Sequence, residues 1–141
     1  NAIKDGRQLA TSANSPAYFG AFFTAYLYDV THGWKPRAAE RLLNWNSITL
    51  TNDNLDVYSK RFVDNDGVEP FDYRKFSKVL HPDDWDPQNY VWPIDVAEMW
   101  RTAEKPAGYE LPQDYTEAFE GGCVDRLKAD YEARYQARIP E

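Results

Sequence analysis

Cysteine, histidine and clustered basic residues are what this chain has least of. Its 141 residues include a single cysteine, Cys123, and two histidines, His32 and His81. One cysteine excludes an internal disulfide and leaves the redox compartment undetermined. A zinc site needs several Cys or His ligands at short spacing, which this chain does not offer. No run of five Lys or Arg occurs, and 16 basic residues against 23 acidic ones give a formal net charge of −7. Phosphate neutralisation requires clustered cations, so this balance argues against nucleic acid or an anionic bilayer as partner. GxGxxG, P-loop, GxSxG and HExxH patterns are also missing, and nucleotide binding and the common hydrolase chemistries therefore lack a handle.

No apolar run is long enough to span a membrane. Gln8 to Tyr28 carries no formal charge. Asn14, Ser15 and Pro16 interrupt it, and the apolar remainder falls short of the ~20 residues a span requires. A soluble helix is expected there, and only peripheral association with a membrane complex stays open. The chain starts at Asn1, which fits a processed organellar or exported protein, an additional N-terminal segment or a chain boundary alike.

Aromatics are plentiful: 5 Trp, 10 Tyr and 7 Phe. They concentrate in Ala17–Val30, where Phe19, Phe22, Phe23, Tyr26, Leu27 and Val30 recur at the three- and four-residue spacing of one helix face. Ala17, Ala21 and Ala25 form a second, small-residue ridge. Asn14-Ser15-Pro16 supplies a capping side chain and an early proline, and His32-Gly33 a stop.

Residues 1–14 read as a polar arm or short helix ahead of a single helical domain, 1–141. A second helix is expected from Pro36 through Asn46, burying Ala39, Leu42 and Leu43. A third is expected from Asn52 to Val63, with Leu50 as staple, Thr51 as cap and an Asp56–Lys60 pair. A fourth should follow Pro70, with Phe71, Phe76, Val79 and Leu80 inward, and a fifth should start at Pro93. Gly121-Gly122 should split the last segment into two helices, the second striped by Leu127, Tyr131 and Ile139 with an Asp130–Arg134 pair. Only Ser47–Leu50 offers a short strand. The expected class is all-α, five to six amphipathic helices with long proline-bearing connections.

The most specific local pattern is Leu50–Leu80, a helix, then Asp64-Asn65-Asp66-Gly67, then Phe71-Asp72-Tyr73-Arg74-Lys75-Phe76. It resembles an EF-hand. The resemblance implies calcium ligands at Asp64, Asp66 and Asp72. It also places Lys75 where the closing Glu belongs, Glu69 where the sharp turn wants Gly, and Val68 where another oxygen is needed. No cofactor is therefore expected, with calcium as the fallback. Ile94-Asp95 and Glu98-Met99 echo only the exit half of such a loop. Asp83, Asp84 and Asp86, flanked by Pro82 and Pro87, read as a solvated turn, and Cys123 as a buried small residue.

These features together predict a non-catalytic accessory subunit whose partners are other protein subunits, as in an organellar respiratory-type complex. Phe19, Phe22, Phe23, Tyr26, Trp85 and Trp92 are the expected interface residues. A calcium-binding regulatory module and a small subunit of a hetero-oligomeric enzyme are the alternatives.

Overall fold

The computed structural model describes residues 1–13, 15–94, 100 and 103–135. Four α-helices and two antiparallel sheets of two strands each occur among them, so the fold mixes α and β and is not all-α. The helices are α1 (Pro16–Thr31), α2 (Leu55–Phe62), α3 (Gln113–Glu120) and α4 (Cys123–Arg134). The strands are β1 (Thr11–Ala13), β2 (Leu43–Trp45), β3 (Ile48–Leu50) and β4 (Val91–Pro93), and 3-10 turns cover Ala38–Arg41 and Tyr73–Phe76.

Local signals set α1. Ser15 caps it by accepting from Tyr18 N–H at 3.3 Å, and Pro16 occupies the first turn, where no N–H is needed. Which side faces inward is another matter. Tyr18, Phe22 and Asp29 are the buried residues, with Ala21 and Ala25 packed beside them, while Phe23, Leu27 and Val30 of the expected stripe are exposed. A helix apolar nearly all round has no single face that periodicity can choose.

Asp29 explains the choice. Its carboxylate accepts from Ser77 Oγ at 2.5 Å, Lys78 N at 2.7 Å and Val79 N at 3.2 Å. The same bonds end the expected fourth helix. With the Lys78 and Val79 amides given to Asp29 rather than to carbonyls four residues back, only the 3-10 turn Tyr73–Phe76 forms, and Val79 and Leu80 are exposed.

The expected second helix is also corrected. Ala38–Arg41 makes one 3-10 turn, after which β2 runs extended against β4 in the register Leu43↔Pro93, Asn44↔Trp92, Trp45↔Val91. Asn46 N donating to Tyr90 O and Ile94 N to Leu42 O lengthen the ladder. Helix propensity is a weak prior that a tertiary hydrogen-bond partner overrides.

The polar arm is docked. β1 pairs with β3 in the register Thr11↔Leu50, Ser12↔Thr49, Ala13↔Ile48, and Ile3 is buried with Leu50 and Leu55. The third helix starts later than expected, at Leu55, because Asn54 Oδ1 accepts from Thr51 N and closes a turn ahead of it. Asp56 pairs with Lys4. Gly122 sits at φ +68°, a conformation that costs little without a Cβ, and divides α3 from α4. Leu127 and Tyr131 are buried as the stripe requires, and Asp130 pairs with Arg134.

Three apolar clusters result. Ala39, Trp85, Val91, Leu127 and Tyr131 form one; Tyr18, Phe22, Phe71 and Phe76 form another; Leu43 and Trp45 of β2 touch both. Pro93 is the last residue of β4. The body of the expected fifth helix, with Asp95, Glu98 and Met99, lies outside the described residues, as do Asn14 and Ile139.

Candidate functional site

The densest chemistry lies around Lys78, where the chain leaves the turn at Tyr73–Phe76. Its Nζ donates to Glu40 Oε1 at 2.5 Å and to Tyr131 Oη at 3.1 Å. Three ring faces surround the ammonium, with centroids at 4.3 Å (Trp34), 4.5 Å (Trp85) and 4.8 Å (Tyr131). Glu40 Oε2 accepts from Arg37 N at 2.8 Å and Nε at 3.1 Å. Arg37 reaches on to Asp130 at 3.0 Å, and Tyr131 Oη also donates to Glu40 Oε1 at 3.3 Å. The turn at Ala38–Arg41 positions Glu40, α4 positions Tyr131 and Asp130, and the loop after α1 brings Trp34.

Burial pushes the Lys78 pKa down, more than the neighbouring Glu40 carboxylate pulls it up. Burial alone would raise Glu40, but hydrogen bonds from Arg37 and the nearby Lys78 charge outweigh it and hold the carboxyl below its ordinary value. Burial, followed by the Glu40 charge, pushes the Tyr131 phenol well up. Each of these polar groups is engaged by another. A cation held by a carboxylate and three aromatic faces acts as a brace between distant segments.

Of this cluster the sequence singled out Trp85 as an interface residue and Tyr131 and Asp130 as parts of a helix stripe and an ion pair, but not Lys78, Glu40, Arg37 or Trp34. No local signal marks Lys78, whose charge between Phe76 and Val79 reads as surface.

The EF-hand-like residues do not converge. Asp72 caps the turn at Tyr73–Phe76 and pairs with Arg74, Nε–Oδ1 2.9 Å and Nη2–Oδ2 3.0 Å. Asp66 stands at φ +51° in the exposed turn ahead of Gly67. Among the described residues, no group of three or more His, Cys, Asp or Glu is placed to hold a metal ion.

The triad Asp83, Asp84 and Asp86 is split. Asp84 pairs with His81 at 2.9 Å and Lys75 at 3.1 Å on the surface. Asp86 is buried beside Trp85 and accepts from Gln88 N at 2.8 Å. Gln88 in turn exchanges two bonds with the backbone of Asp72, at 2.8 and 2.7 Å. The solvated reading thus holds for the exposed Pro82, Asp83 and Asp84 and is corrected for Asp86, which is interior.

The expected interface residues separate into two kinds. Phe22 and Trp85 are core residues. Phe19 is half-buried, Tyr26 Oη donates to Glu40 O at 3.4 Å, and Trp92 lies against Tyr90 with ring centroids 5.0 Å apart. Phe23 stands out at 55% exposed, with Leu27 one turn on at 64%.

An apolar groove lies on each side of that ridge. One, of about 340 Å³, runs between Phe22, Phe23 and Tyr26 and the Leu42–Trp45 segment. The other, of about 430 Å³, runs over Gly20, Ala21, Thr24 and Ala25 toward Tyr73 and Leu80. Among the described residues no helix is long and apolar enough to cross a membrane. Comparison of the chain with protein-family models, with curated proteins and with solved structures finds no match.

Proposed function

We propose that this chain is a non-catalytic interaction subunit that joins a larger protein assembly through the outer ridge of α1. The observation that carries this reading is the pairing of Phe23 and Leu27, both mostly exposed and one helical turn apart. Two large side chains presented together between apolar grooves form a patch of the kind proteins cover with a partner. Covering each is worth about 1.5–3 kcal/mol.

The polar chemistry favours the same reading over catalysis. The Lys78, Glu40 and Tyr131 groups are spent on one another. The two α1 grooves present mainly apolar surface, and of the polar side chains around them Ser77, Arg74, Arg41 and Glu40 are already engaged by Asp29, Asp72, Asp114 and Lys78 rather than free to orient a substrate. The partner class is protein, since the acidic chain has no basic stripe for a phosphate backbone.

Measuring the native mass of the species that contains the chain, after gentle extraction from its source, tests this reading. Wild type should run in a defined complex, and Phe23→Asp/Leu27→Asp should fall out of it with an unchanged circular dichroism spectrum. A wild-type chain that runs as a 16.4 kDa monomer in the extract, and stays a monomer when purified and concentrated to about 1 mM, overturns the proposal.

A further inference from the structure

We infer that the occupant of the α1 ridge is α1 of a second copy of this chain, packed antiparallel across a two-fold axis between Phe23 and Thr24. This rests on the reading of that ridge as a docking surface and names its partner.

Pro16, Gly20, Phe23, Leu27 and Val30 repeat at four- and three-residue steps, the spacing of one outward seam. Gly20 is a notch in that seam, and a Cβ built there would meet nothing within 4 Å. No contact among the described residues therefore calls for glycine at an exposed mid-helix position, where it weakens the helix. Leu27 is the complementary knob, two turns or about 10 Å along the helix.

An antiparallel two-fold places Leu27 of each copy over Gly20 of the other, with Phe23 beside the axis. One surface thus carries both knob and hole, as an isologous interface requires. The flanking grooves give the Phe23 and Leu27 side chains room on either side.

Charge points to a second copy over a charged partner. The chain as a whole is at −7, yet the only charged residue of α1, Asp29, is buried. The guanidinium groups at the groove rims, Arg41 and Arg74, are paired with Asp114 and Asp72. Two copies can meet here without opposing like charges. A strongly charged partner finds no free counter-charge on this face among the described residues.

Area sets the strength. The exposed parts of Phe23, Leu27, Tyr28, Val30, Leu42 and Leu80 amount to roughly 500 Å² per copy, which puts the pair at the small end of specific interfaces. The dimer is accordingly weak and reversible.

Sedimentation velocity of the purified full chain from about 1 μM to about 1 mM tests this. Wild type should pass from monomer to dimer within that range. Gly20→Leu fills the notch on an open helix surface, so it should weaken dimerisation at least tenfold without lowering the melting temperature. Exchanging knob and hole in Gly20→Leu/Leu27→Gly should return the dimer to within about threefold of wild type, because the introduced leucine of each copy then meets the introduced glycine of the other.

A chain that stays monomeric to the top of the range overturns the two-fold pairing, as does a dimer indifferent to Gly20→Leu or an exchange that recovers nothing. A monomer in this assay whose Phe23→Asp/Leu27→Asp variant still leaves the native complex would sink the self-pairing alone and keep the broader docking reading.

Discussion

Replacing Glu40 by alanine probes the brace that joins the middle of the chain to α4. The Glu40 side chain is 1% exposed and that of Lys78 14%. Removing the carboxylate strands the ammonium with the Tyr131 hydroxyl and three ring faces. Each ring offers about 0.5–2 kcal/mol, less than a buried ion's lost hydration. Breaking a buried pair by deleting one partner costs about 3–5 kcal/mol. The lowered Lys78 pKa caps the loss, since the amine can shed its proton instead of staying charged.

Against a total stability of about 5–15 kcal/mol, a large part of the fold's margin is at stake. For a chain of this length the melting temperature should fall by roughly 10–20 °C. In urea, the midpoint should drop at constant m-value. Replacing both partners by apolar groups of similar volume, Glu40→Leu/Lys78→Met, should recover at least half of the loss, because no charge is then left unpaired. A loss below about 1 kcal/mol for Glu40→Ala, under the cost of stranding a buried charge, would refute the brace. It would mean that Lys78 finds water or another acceptor.

The pH dependence follows from the same group. A carboxyl whose pKa is lowered in the fold stabilises it above the unfolded value, near 4.3 for Glu. That contribution disappears as the pH falls through the lower folded value. Wild type should therefore lose more stability on acidification below about pH 5 than Glu40→Gln does.

Asp29→Ala leaves the Lys78 and Val79 amides and the Ser77 hydroxyl without their acceptor. A loss of about 2–4 kcal/mol in urea unfolding is expected, and a near-neutral result would show that the 77–79 segment repacks. Tyr18 and Tyr131 both have raised phenol pKa values, through burial first and then the nearby Asp86 and Glu40 charges respectively. At least these two of the ten tyrosines should thus resist ionisation in an absorbance titration until alkali unfolds the chain. Their stabilising effect is complete below the unfolded value of about 10 and is lost as the pH rises above it. Millimolar calcium should leave the melting temperature unchanged, since the Asp72 carboxylate is engaged by Arg74. A shift worth about 2.7 kcal/mol, which a ligand at 100 times its Kd produces, would restore the calcium-loop reading.

Sequence alone determined the features whose cause is local. Ser15-Pro16 started α1 because a cap and an early proline act within one turn. Gly121-Gly122 divided α3 from α4, since a left-handed backbone at Gly122 needs no outside help. Leu127 and Tyr131 fell on the buried stripe of α4, because that pattern contrasts apolar with polar neighbours.

Tertiary structure decided what required a distant partner. Three-residue strands such as Leu43–Trp45 are too short to show a period, and it is β4, more than forty residues on, that holds this one extended. The inward face of α1 was set by Phe71 and Phe76 and by the amides that Asp29 caps, none of which helical spacing can see. The same is true of Lys78. Its charge reads as surface in any window of sequence, and only the meeting of Glu40, Trp34, Trp85 and Tyr131 around it offsets the cost of burying it.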